Sequence, residues 1–197
     1  DGVLLARRQS GGGTVYHDQG NVNVSFMDWN EVYDKDVNNS IMIKTLGEYG
    51  HKAVSSGRSD IQIITPDGNR KVSGAAFKKK RDRTFHHATM LLNSNLDNLN
   101  RYLIPKIGQD NVQTKAISSV RSKVANTNIK EEDFIKSLIR NYEIQHGQSA
   151  TVKVWSEHEA KEKVLLNPDY LNVLMSWKWI CAETPLFKTK IESGNWE

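Results

Sequence analysis

The residues with the clearest chemical potential lie in one short run near the start of the chain, residues 7–21 (RRQSGGGTVYHDQGN). Gly11, Gly12 and Gly13 let the backbone approach a ligand closely, and their N–H groups can converge on an anion. The guanidinium of Arg8 can hold a phosphate or a carboxylate through two hydrogen bonds. The run lacks the spacings of Walker and dinucleotide-binding loops. It predicts an anion-binding glycine loop, with a flexible turn as the alternative.

Two charged residues farther along the chain could act on phosphate chemistry. Lys71 is followed by the small residues Ser73 and Gly74, which leave space beside its side chain. A lysine facing a pocket could neutralise a developing phosphoryl charge or hold a carboxylate. Asp60 could hold Mg²⁺ between phosphates. The alternatives are a solvent-facing strand lysine and an ordinary turn carboxylate.

The histidines and the cysteine give weaker indications of a functional site. His86 and His87 are adjacent, so on a strand they point to opposite faces and cannot form a metal pair by themselves. We expect one of them to be buried and hydrogen-bonded. His17 has no carboxylate partner at a fixed spacing. Cys181 lies among tryptophans without a histidine partner, and we expect a buried structural thiol.

Composition sets wider bounds. The chain has 197 residues, 38% of them hydrophobic and 25% charged, which is typical of a soluble globular domain. Its single cysteine permits no intrachain disulfide and suits a reducing compartment, so we expect a cytoplasmic location, or a mitochondrial one in a eukaryote. No apolar run reaches about 18 residues, and the net charge is only +4. We therefore expect neither a membrane nor a nucleic acid as a partner.

Basic residues cluster in one place. Five of the six positions from residue 78 to residue 83 are basic, namely Lys78, Lys79, Lys80, Arg81 and Arg83. The cluster is interpreted as a solvated strand end or loop, with an anionic ligand or an acidic protein partner as alternatives and a nuclear localisation signal as the weakest.

Periodicity and turn residues predict the elements that position these groups. Strands are expected at 3–5, 22–26, 53–56, 61–64, 70–77, 84–92 and 152–154, and helices at 37–49, 96–103, 129–146 and 168–175. Pro66, Asp67 and Gly68 predict a hairpin turn. Asn128 is expected to cap the third helix and Gly147 to close it. Residues 104–122 show no period, which is typical of a functional loop.

The order of these elements predicts an α+β fold with a central mixed, largely antiparallel sheet flanked by helices.

Taken in order, five further blocks join the glycine run in resembling the lipoate–protein ligase family (the biotin/lipoate protein ligase catalytic domain), with lipoyltransferases as close relatives. The blocks are Gly57-Arg58-Ser59-Asp60, Lys71-Val72-Ser73-Gly74-Ala75-Ala76, His86-His87-Ala88-Thr89-Met90-Leu91-Leu92, residues 115–122 (KAISSVRS), and Trp177-Lys178-Trp179 with Thr184-Pro185-Leu186-Phe187. The resemblance spans nearly the whole chain.

The resemblance implies a fold, an activity and partners. The fold would be a class II synthetase and biotin ligase-like catalytic domain. ATP, with Mg²⁺, and lipoate would give lipoyl-adenylate and pyrophosphate. The lipoyl group would then pass to a lysine on a lipoyl domain of a 2-oxoacid dehydrogenase E2 protein, or on the glycine-cleavage H protein.

The resemblance also implies residue roles. Lys71 would be catalytic, contacting the lipoyl carbonyl and the adenylate phosphate in both steps, and Asp60 would lie near the phosphates and Mg²⁺. Residues 103–122 would close over the adenylate. Binding of ATP and lipoyl-adenylate would fall to Arg8, Ser10, Gly11, Gly12, Gly13, Thr14, Val15, Tyr16, His17, Asp60, Lys71, Ser73, Gly74 and His87.

Several alternatives stay open. We expect residues 1–197 to form one catalytic domain that lacks the N-terminal strands and helix and the small C-terminal domain of many family members. Within the family, the chain could be a lipoyltransferase that uses preformed lipoyl-adenylate or a lipoylated donor protein. It could instead be a non-catalytic fragment that binds lipoyl-adenylate. Biotin protein ligases interleave arginine with glycine in their loop, and octanoyltransferases place a nucleophilic cysteine in a different context from Cys181.

Overall fold

The structure is a computed structural model that describes residues 2–104, 112–114, 122–163 and 168–189. The chain divides into two compact units. The larger unit consists of Ser10–Ile104 and Ser118–Ala150, and the smaller unit of Asp1–Gln9, Pro105–Ile117 and Thr151–Glu197.

Six strands and three helices form the described part of the larger unit. In chain order they are β1 (Asn21–Trp29), α1 (Lys35–Glu48), β2 (Ala53–Ser55), β3 (Ile61–Thr65), β4 (Gly68–Ser73), β5 (Ala75–Lys79), β6 (Arg83–Leu91), α2 (Leu96–Leu103) and α3 (Glu131–His146). The smaller unit contains β7 (Val112–Thr114), α4 (Glu157–Lys163), α5 (Pro168–Met175), a π-helical turn (Lys178–Ala182) and β8 (Phe187–Thr189).

Two antiparallel sheets carry the larger unit. One has the order β1-β6-β5 and the other β2-β3-β4. In β1 and β6, alternate residues are buried, because one face of their sheet covers the core and the other faces outward. We call these the inner face and the outer face. A parallel bridge between Lys71 and Val124 extends the second sheet beyond β4, so the fold is mixed, as predicted.

The core lies between the inner face and the helices. Ile41, Met42 and Leu46 of α1 and Phe134 of α3 are fully buried against residues from the strands. Each such side chain stabilises the fold by about 1.5–3 kcal/mol through removal of apolar surface from water. Asp34 begins α1 by accepting hydrogen bonds from two backbone N–H groups of the first turn.

Most of the predicted elements are confirmed within one or two residues. The turn at Pro66 and Asp67 joins β3 to β4, and Gly68 has a φ of 97°, which favours glycine. The strand predicted over 70–77 is instead two strands in different sheets, because the chain breaks its pairing at Gly74. No described helix is long and apolar enough to cross a lipid bilayer.

Three local predictions were wrong. Residues 3–5 and 152–154 form no strand, and Leu4 and Val154 are 95% and 88% exposed, because such short apolar runs become strands only when another strand pairs with them. Asn128 does not cap α3. Its φ is 57°, whereas a capping residue has extended backbone, and Lys130 precedes the helix without a side-chain cap. Gly147 closes α3 as predicted, with a φ of 64°.

A polar cluster joins α1 to α3 above the apolar core. The carboxylate of Glu48 accepts hydrogen bonds from Ser137, Arg140 and Asn141, the last at 2.9 Å. These hydrogen bonds, above all that from Ser137, lower the pKa of Glu48. The charged carboxylate therefore contributes stability above its unfolded pKa of about 4.3, and this contribution is lost as the pH falls through the lower folded value.

We expect Glu48→Gln to lower the free energy of unfolding by about 1 kcal/mol at pH 7, a value discounted for the partial exposure of the side chain. The difference should shrink as the pH falls from 7 towards 3, because the parent carboxyl becomes protonated as the pH falls through its lowered pKa. Urea denaturation at both pH values measures it, with the exposed Glu31→Gln as control. If the difference in the free energy of unfolding is the same at pH 3 as at pH 7, the charge of Glu48 does not stabilise the fold as proposed.

Candidate functional site

Lys71 and Asp60 form the charged centre of the candidate site. The ammonium nitrogen Nζ of Lys71 donates to Oδ2 of Asp60 at 2.8 Å, and the two side chains are 24% and 18% exposed. Lys71 is therefore not the solvent-facing strand lysine that was the alternative interpretation. A partly buried ammonium held in one position can stabilise negative charge that develops beside it, because little reorganisation is needed.

The backbone of Lys71 is fixed on both sides. Its strand pairs with β3 on one edge, where Gln62 lies opposite Lys71. On the other edge, Lys71 N–H donates to the carbonyl of Lys123 at 2.8 Å, and Ala125 N–H donates to the carbonyl of Lys71 at 3.1 Å. The lysine therefore lies on an interior strand, and its Cα cannot move without breaking pairing on two edges.

Gly74 allows the ammonium group to lie against the backbone. A Cβ atom at this position would be 3.2 Å from Lys71 Nζ and 3.3 Å from Lys71 Cε, so a side chain would push the ammonium aside. Thr89 holds this segment in place, since its backbone N–H donates to the Gly74 carbonyl at 2.9 Å and its hydroxyl accepts from Gly74 N–H at 3.1 Å. The sequence interpretation assigned Gly74 to the site but missed Thr89, which only the alternation along β6 could have indicated.

Ser10 and His87 meet on the outer face. Ser10 Oγ and His87 Nε2 are 2.7 Å apart and share a hydrogen bond. His87 lies opposite Ala76 of β5 and Ser25 of β1 in the strand register. Side chains directly opposite across a sheet share a face, so His87 and Thr89, two positions apart, lie on the same outer face. This places the glycine loop and the Lys71 segment at neighbouring positions of one surface.

His86 has a structural position on the inner face. It is fully buried, with its ring 4.4 Å from the Phe77 ring and 5.9 Å from the Phe26 ring, measured between centroids. Burial, with a smaller contribution from the charge of His87, lowers the pKa of His86 to about 4, so the ring is neutral at pH 7. We expected the buried histidine to be hydrogen-bonded, and this was wrong. Within the described residues neither ring nitrogen of His86 has a partner, and the partly buried His87 is the hydrogen-bonded one.

The glycine loop is irregular, as predicted. Gly12 has a φ of 100°, a conformation that favours glycine, and Val15 is 47% exposed. Tyr16 stacks on Tyr102 of α2 with ring centroids 5.5 Å apart. Thr14 is exposed as well.

Ser73, which was also predicted to bind the ligand, lies in the interior of the protein. Its side chain is fully buried, and its hydroxyl has no hydrogen-bond partner in the part of the chain that the structure describes.

Asp18 and Gly20 attach the far end of the loop to the sheet. Asp18 accepts hydrogen bonds from Gly20 N–H at 2.9 Å and Asn95 N–H at 2.7 Å. The Gly20 carbonyl accepts from Leu92 and Asn93, each at 2.9 Å. His17, which was predicted to bind the nucleotide, has its Nδ1 atom 2.8 Å from Nδ2 of Asn21.

The start of the run belongs to the smaller unit. Arg7 donates to the carbonyl of Ile180 at 3.1 Å and to Thr184 Oγ1 at 2.6 Å, and Trp179 Nε1 donates to the Arg7 carbonyl at 2.8 Å. Arg8, predicted to hold an anion, is partly buried in this unit, and burial lowers its pKa.

Cys181 is exposed, so the expectation of a buried thiol was wrong, because the π-helical turn leaves its side chain outside the packed interior. Of the closing loop predicted at residues 103–122, the structure describes only residues 103–104, 112–114 and 122.

A separate cavity of about 510 Å³ opens on the side of the inner face. It is lined by Tyr33, Lys35, Gly57, Arg58, Ser59, Phe77, Lys79 and Thr84, none of which was predicted to bind the ligand. We place the candidate site on the outer face instead. Ser10 and His87 are hydrogen-bonded there, and Gly74, which lies against the Lys71 ammonium, is hydrogen-bonded to Thr89 on the same face.

Gly20 offers a test of the loop attachment. A Cβ atom at residue 20 would lie 2.1 Å from the Asn93 carbonyl oxygen, whereas one at Gly11 would meet no atom within 4 Å. We expect Gly20→Ala to lower the free energy of unfolding by about 1–3 kcal/mol, and Gly11→Ala to change it by less than about 0.5 kcal/mol. Chemical denaturation compares the two, and equal losses would mean that the contact with Asn93 does not constrain the loop.

A family model described as the lipoyl protein ligase A/B catalytic domain matches residues 1–142, which is more than half of the chain. The structure of P. falciparum LipL1 in complex with lipoate is 31% identical with a TM-score of 0.71, and the match covers 100% of this chain and 55% of that one. The chain thus spans just over half the length of the P. falciparum protein.

Two further solved structures show the same fold at lower identity. A bi-partite lipoate protein ligase from Thermoplasma acidophilum, studied with its E2 lipoyl domain, is 23% identical with a TM-score of 0.67, covering 91% of this chain and 71% of that one. A lipoate-protein ligase A bound with ATP is 24% identical with a TM-score of 0.60, covering 81% and 66%. The predicted fold is confirmed, and the family supports a ligase or transferase role. The chain belongs to the lipoyl protein ligase A/B catalytic domain family.

Proposed function

We propose that this protein activates lipoate with ATP and transfers the lipoyl group to a lysine of a lipoyl domain. The observation that carries the proposal is the Lys71 ammonium, held by Asp60 beside Gly74 on the face that also carries Ser10 and His87. The family supports the proposal, as do the relatives described with lipoate, with ATP and with an E2 lipoyl domain.

In the first step, a lipoate carboxylate oxygen attacks the α-phosphorus of ATP, and pyrophosphate leaves. Negative charge grows on the phosphoryl oxygens, and Lys71 is the fixed cation suited to stabilise it. The loop from Ser10 to Tyr16 can supply backbone N–H groups for the anionic groups of the substrates.

In the second step, the lysine amine of the acceptor attacks the carbonyl carbon of lipoyl-adenylate. An amide bond forms, AMP leaves, and the nitrogen loses a proton. The same ammonium of Lys71 can stabilise the oxyanion that forms at the carbonyl. Exclusion of water matters here, because a mixed anhydride hydrolyses readily.

Asp60 is the residue we propose for Mg²⁺. Among the described residues, histidine, cysteine, aspartate and glutamate do not gather in groups of three that could hold a metal. Mg²⁺ commonly uses one or two carboxylates together with substrate phosphates, so a single carboxylate fits when a nucleotide supplies the other ligands. The ion would neutralise phosphate charge, with Asp60 as its protein ligand.

We propose acceptor proteins of two kinds, the E2 proteins of 2-oxoacid dehydrogenases and the glycine-cleavage H protein. For the location we propose the cytoplasm, or mitochondria in a eukaryote, since the single cysteine suits a reducing compartment.

A second candidate is a transferase that needs preformed lipoyl-adenylate or a partner chain for activation. It is favoured by the bi-partite organisation of the Thermoplasma ligase. A non-catalytic fragment that only binds lipoyl-adenylate is the third possibility.

Pyrophosphate release separates these candidates. With ATP, lipoate and Mg²⁺, we expect the protein to release pyrophosphate and to form lipoyl-adenylate. Transfer from synthetic lipoyl-adenylate without any pyrophosphate release would favour the transferase. Binding of lipoyl-adenylate with neither reaction would favour the non-catalytic fragment.

Lys71→Ala tests the catalytic assignment. We expect both half-reactions to slow by about 100-fold or more, because the fixed positive charge is lost in each. Pyrophosphate release reports the first step, and transfer from synthetic lipoyl-adenylate reports the second. Lys136→Ala, on the exposed surface of α3, is the control for removal of a lysine. Adenylation at the parent rate in a folded Lys71→Ala protein would show that Lys71 is not catalytic.

A further inference from the structure

The turn between β5 and β6 is held rigidly by Asn30 at the end of β1. Asn30 Nδ2 donates to the carbonyls of Lys80 and Arg81, each at 3.1 Å, and Asn30 N–H donates to the carbonyl of Asp82 at 3.0 Å. Thr84 Oγ1 donates to Asn30 Oδ1 at 2.7 Å. These hydrogen bonds order the turn, so the basic cluster of residues 78–83 lies on an ordered part of the chain and not on a solvated loop.

Cations and apolar side chains alternate on the outer face beside this turn. The guanidinium of Arg83 lies 3.9 Å from the centre of the Trp29 ring, directly across the strand pair. Trp29 and Met27 are 50% and 74% exposed. Phe85 lies opposite both Met27 and Lys78, so all of these side chains share the outer face. We call Met27, Trp29, Lys78, Arg83 and Phe85 the hairpin surface.

The hairpin surface is continuous with the candidate site. Arg83, Phe85, His87 and Thr89 are successive outward residues of the single strand β6. His87 is four positions from Arg83, which is about 13 Å along a strand. A molecule that brings a group to His87 and Lys71 from the side of the β5–β6 turn therefore extends over the hairpin surface.

We propose that the hairpin surface docks the acceptor protein, through carboxylates that flank the acceptor lysine. The inference rests on the proposed function, since it takes the lysine-bearing domain of that reaction as the occupant. The surface is cationic, so its occupant must supply negative charge. Arginine and tryptophan in contact are also typical of the residues that dominate protein interfaces.

The apolar part of the surface favours a protein over a small anion. A phosphate or a free carboxylate would contact the cations and leave Met27 and Trp29 exposed to water. A folded domain can cover both, and covering them adds apolar burial to the ionic contacts. Asp28, the acidic residue of the same strand, lies opposite Thr84 and so belongs to the inner face, away from this surface.

Two charge reversals on the same hairpin make a matched test. Arg83→Glu changes the outer face, whereas Lys79→Glu makes the same change of charge on the inner face, where Lys79 lies opposite Thr84. With a lipoyl domain as acceptor, we expect Arg83→Glu to raise the KM for the domain about tenfold, and Lys79→Glu to raise it less than about twofold. Trp29→Ala should raise it by about threefold or more. Pyrophosphate release from ATP and lipoate should be unchanged in all three.

A charge reversal in the acceptor protein tests the same contact from the other side. Replacing an acidic residue beside its target lysine with lysine should weaken transfer by the parent protein and restore part of the activity of Arg83→Glu. Equal effects of Arg83→Glu and Lys79→Glu would overturn the proposal, since they would show a general charge effect and no docking face. So would a change in self-association on sedimentation that accounts for the loss, because the occupant would then be a second copy of the chain.

The docking proposal can be tested even if the proposed function is wrong. If the parent protein forms no adenylate and transfers no lipoyl group, calorimetric titration of the lipoyl domain still measures docking. Binding that Arg83→Glu weakens and Lys79→Glu preserves would support the hairpin surface without catalysis. The absence of measurable binding by a folded parent protein would overturn it.

Discussion

The ion pair between Lys71 and Asp60 is the contact on which the site depends. An ammonium group is useful beside a phosphorus or a carbonyl only if it is already in place when charge develops. Three features keep it there, namely the carboxylate of Asp60 at 2.8 Å, the absence of a side chain at Gly74, and pairing of the Lys71 strand on both edges. The rest of the larger unit keeps these groups in position, because it holds the outer face of the β1-β6-β5 sheet next to the end of β4.

Long elements could be predicted from the sequence because their patterns are redundant. The helix at Lys35–Glu48 and the strand at Arg83–Leu91 each carry several buried residues at the expected period, so no single exception matters. Short segments lack this redundancy. Residues 3–5 and 152–154 have the composition of strands, but pairing with another strand decides such cases, and composition does not reveal it. The break at Gly74 was likewise hidden, since the strands on either side of it look alike in sequence.

The candidate site could be predicted in its residue types but not in its geometry. Lys71 and Asp60 were both named from the sequence, but their contact was not. The strands that carry them also pair with a register shift between Ile61 and Gln62, a local irregularity without a sequence signal here. For the two histidines too, the sequence predicted the residues but not their contacts. Alternation predicted opposite faces for His86 and His87, but the identity of the hydrogen-bonded ring depended on the glycine loop, which brings Ser10 to His87. Cys181 was misjudged because the burial of one thiol depends on the path of a short irregular turn.

The contacts of Arg7 bear on the order in which the chain folds. Arg7 and Thr184 are 177 positions apart, and Arg7 and Ile180 are 173 apart. Closing a loop of this size costs more chain entropy than closing the hairpins of the larger unit, whose partners are near neighbours. During synthesis on the ribosome, the hairpins can pair long before residue 184 has emerged. Arg7 must therefore wait until residue 184 has been made, so its contacts in the smaller unit form after the hairpins of the larger unit.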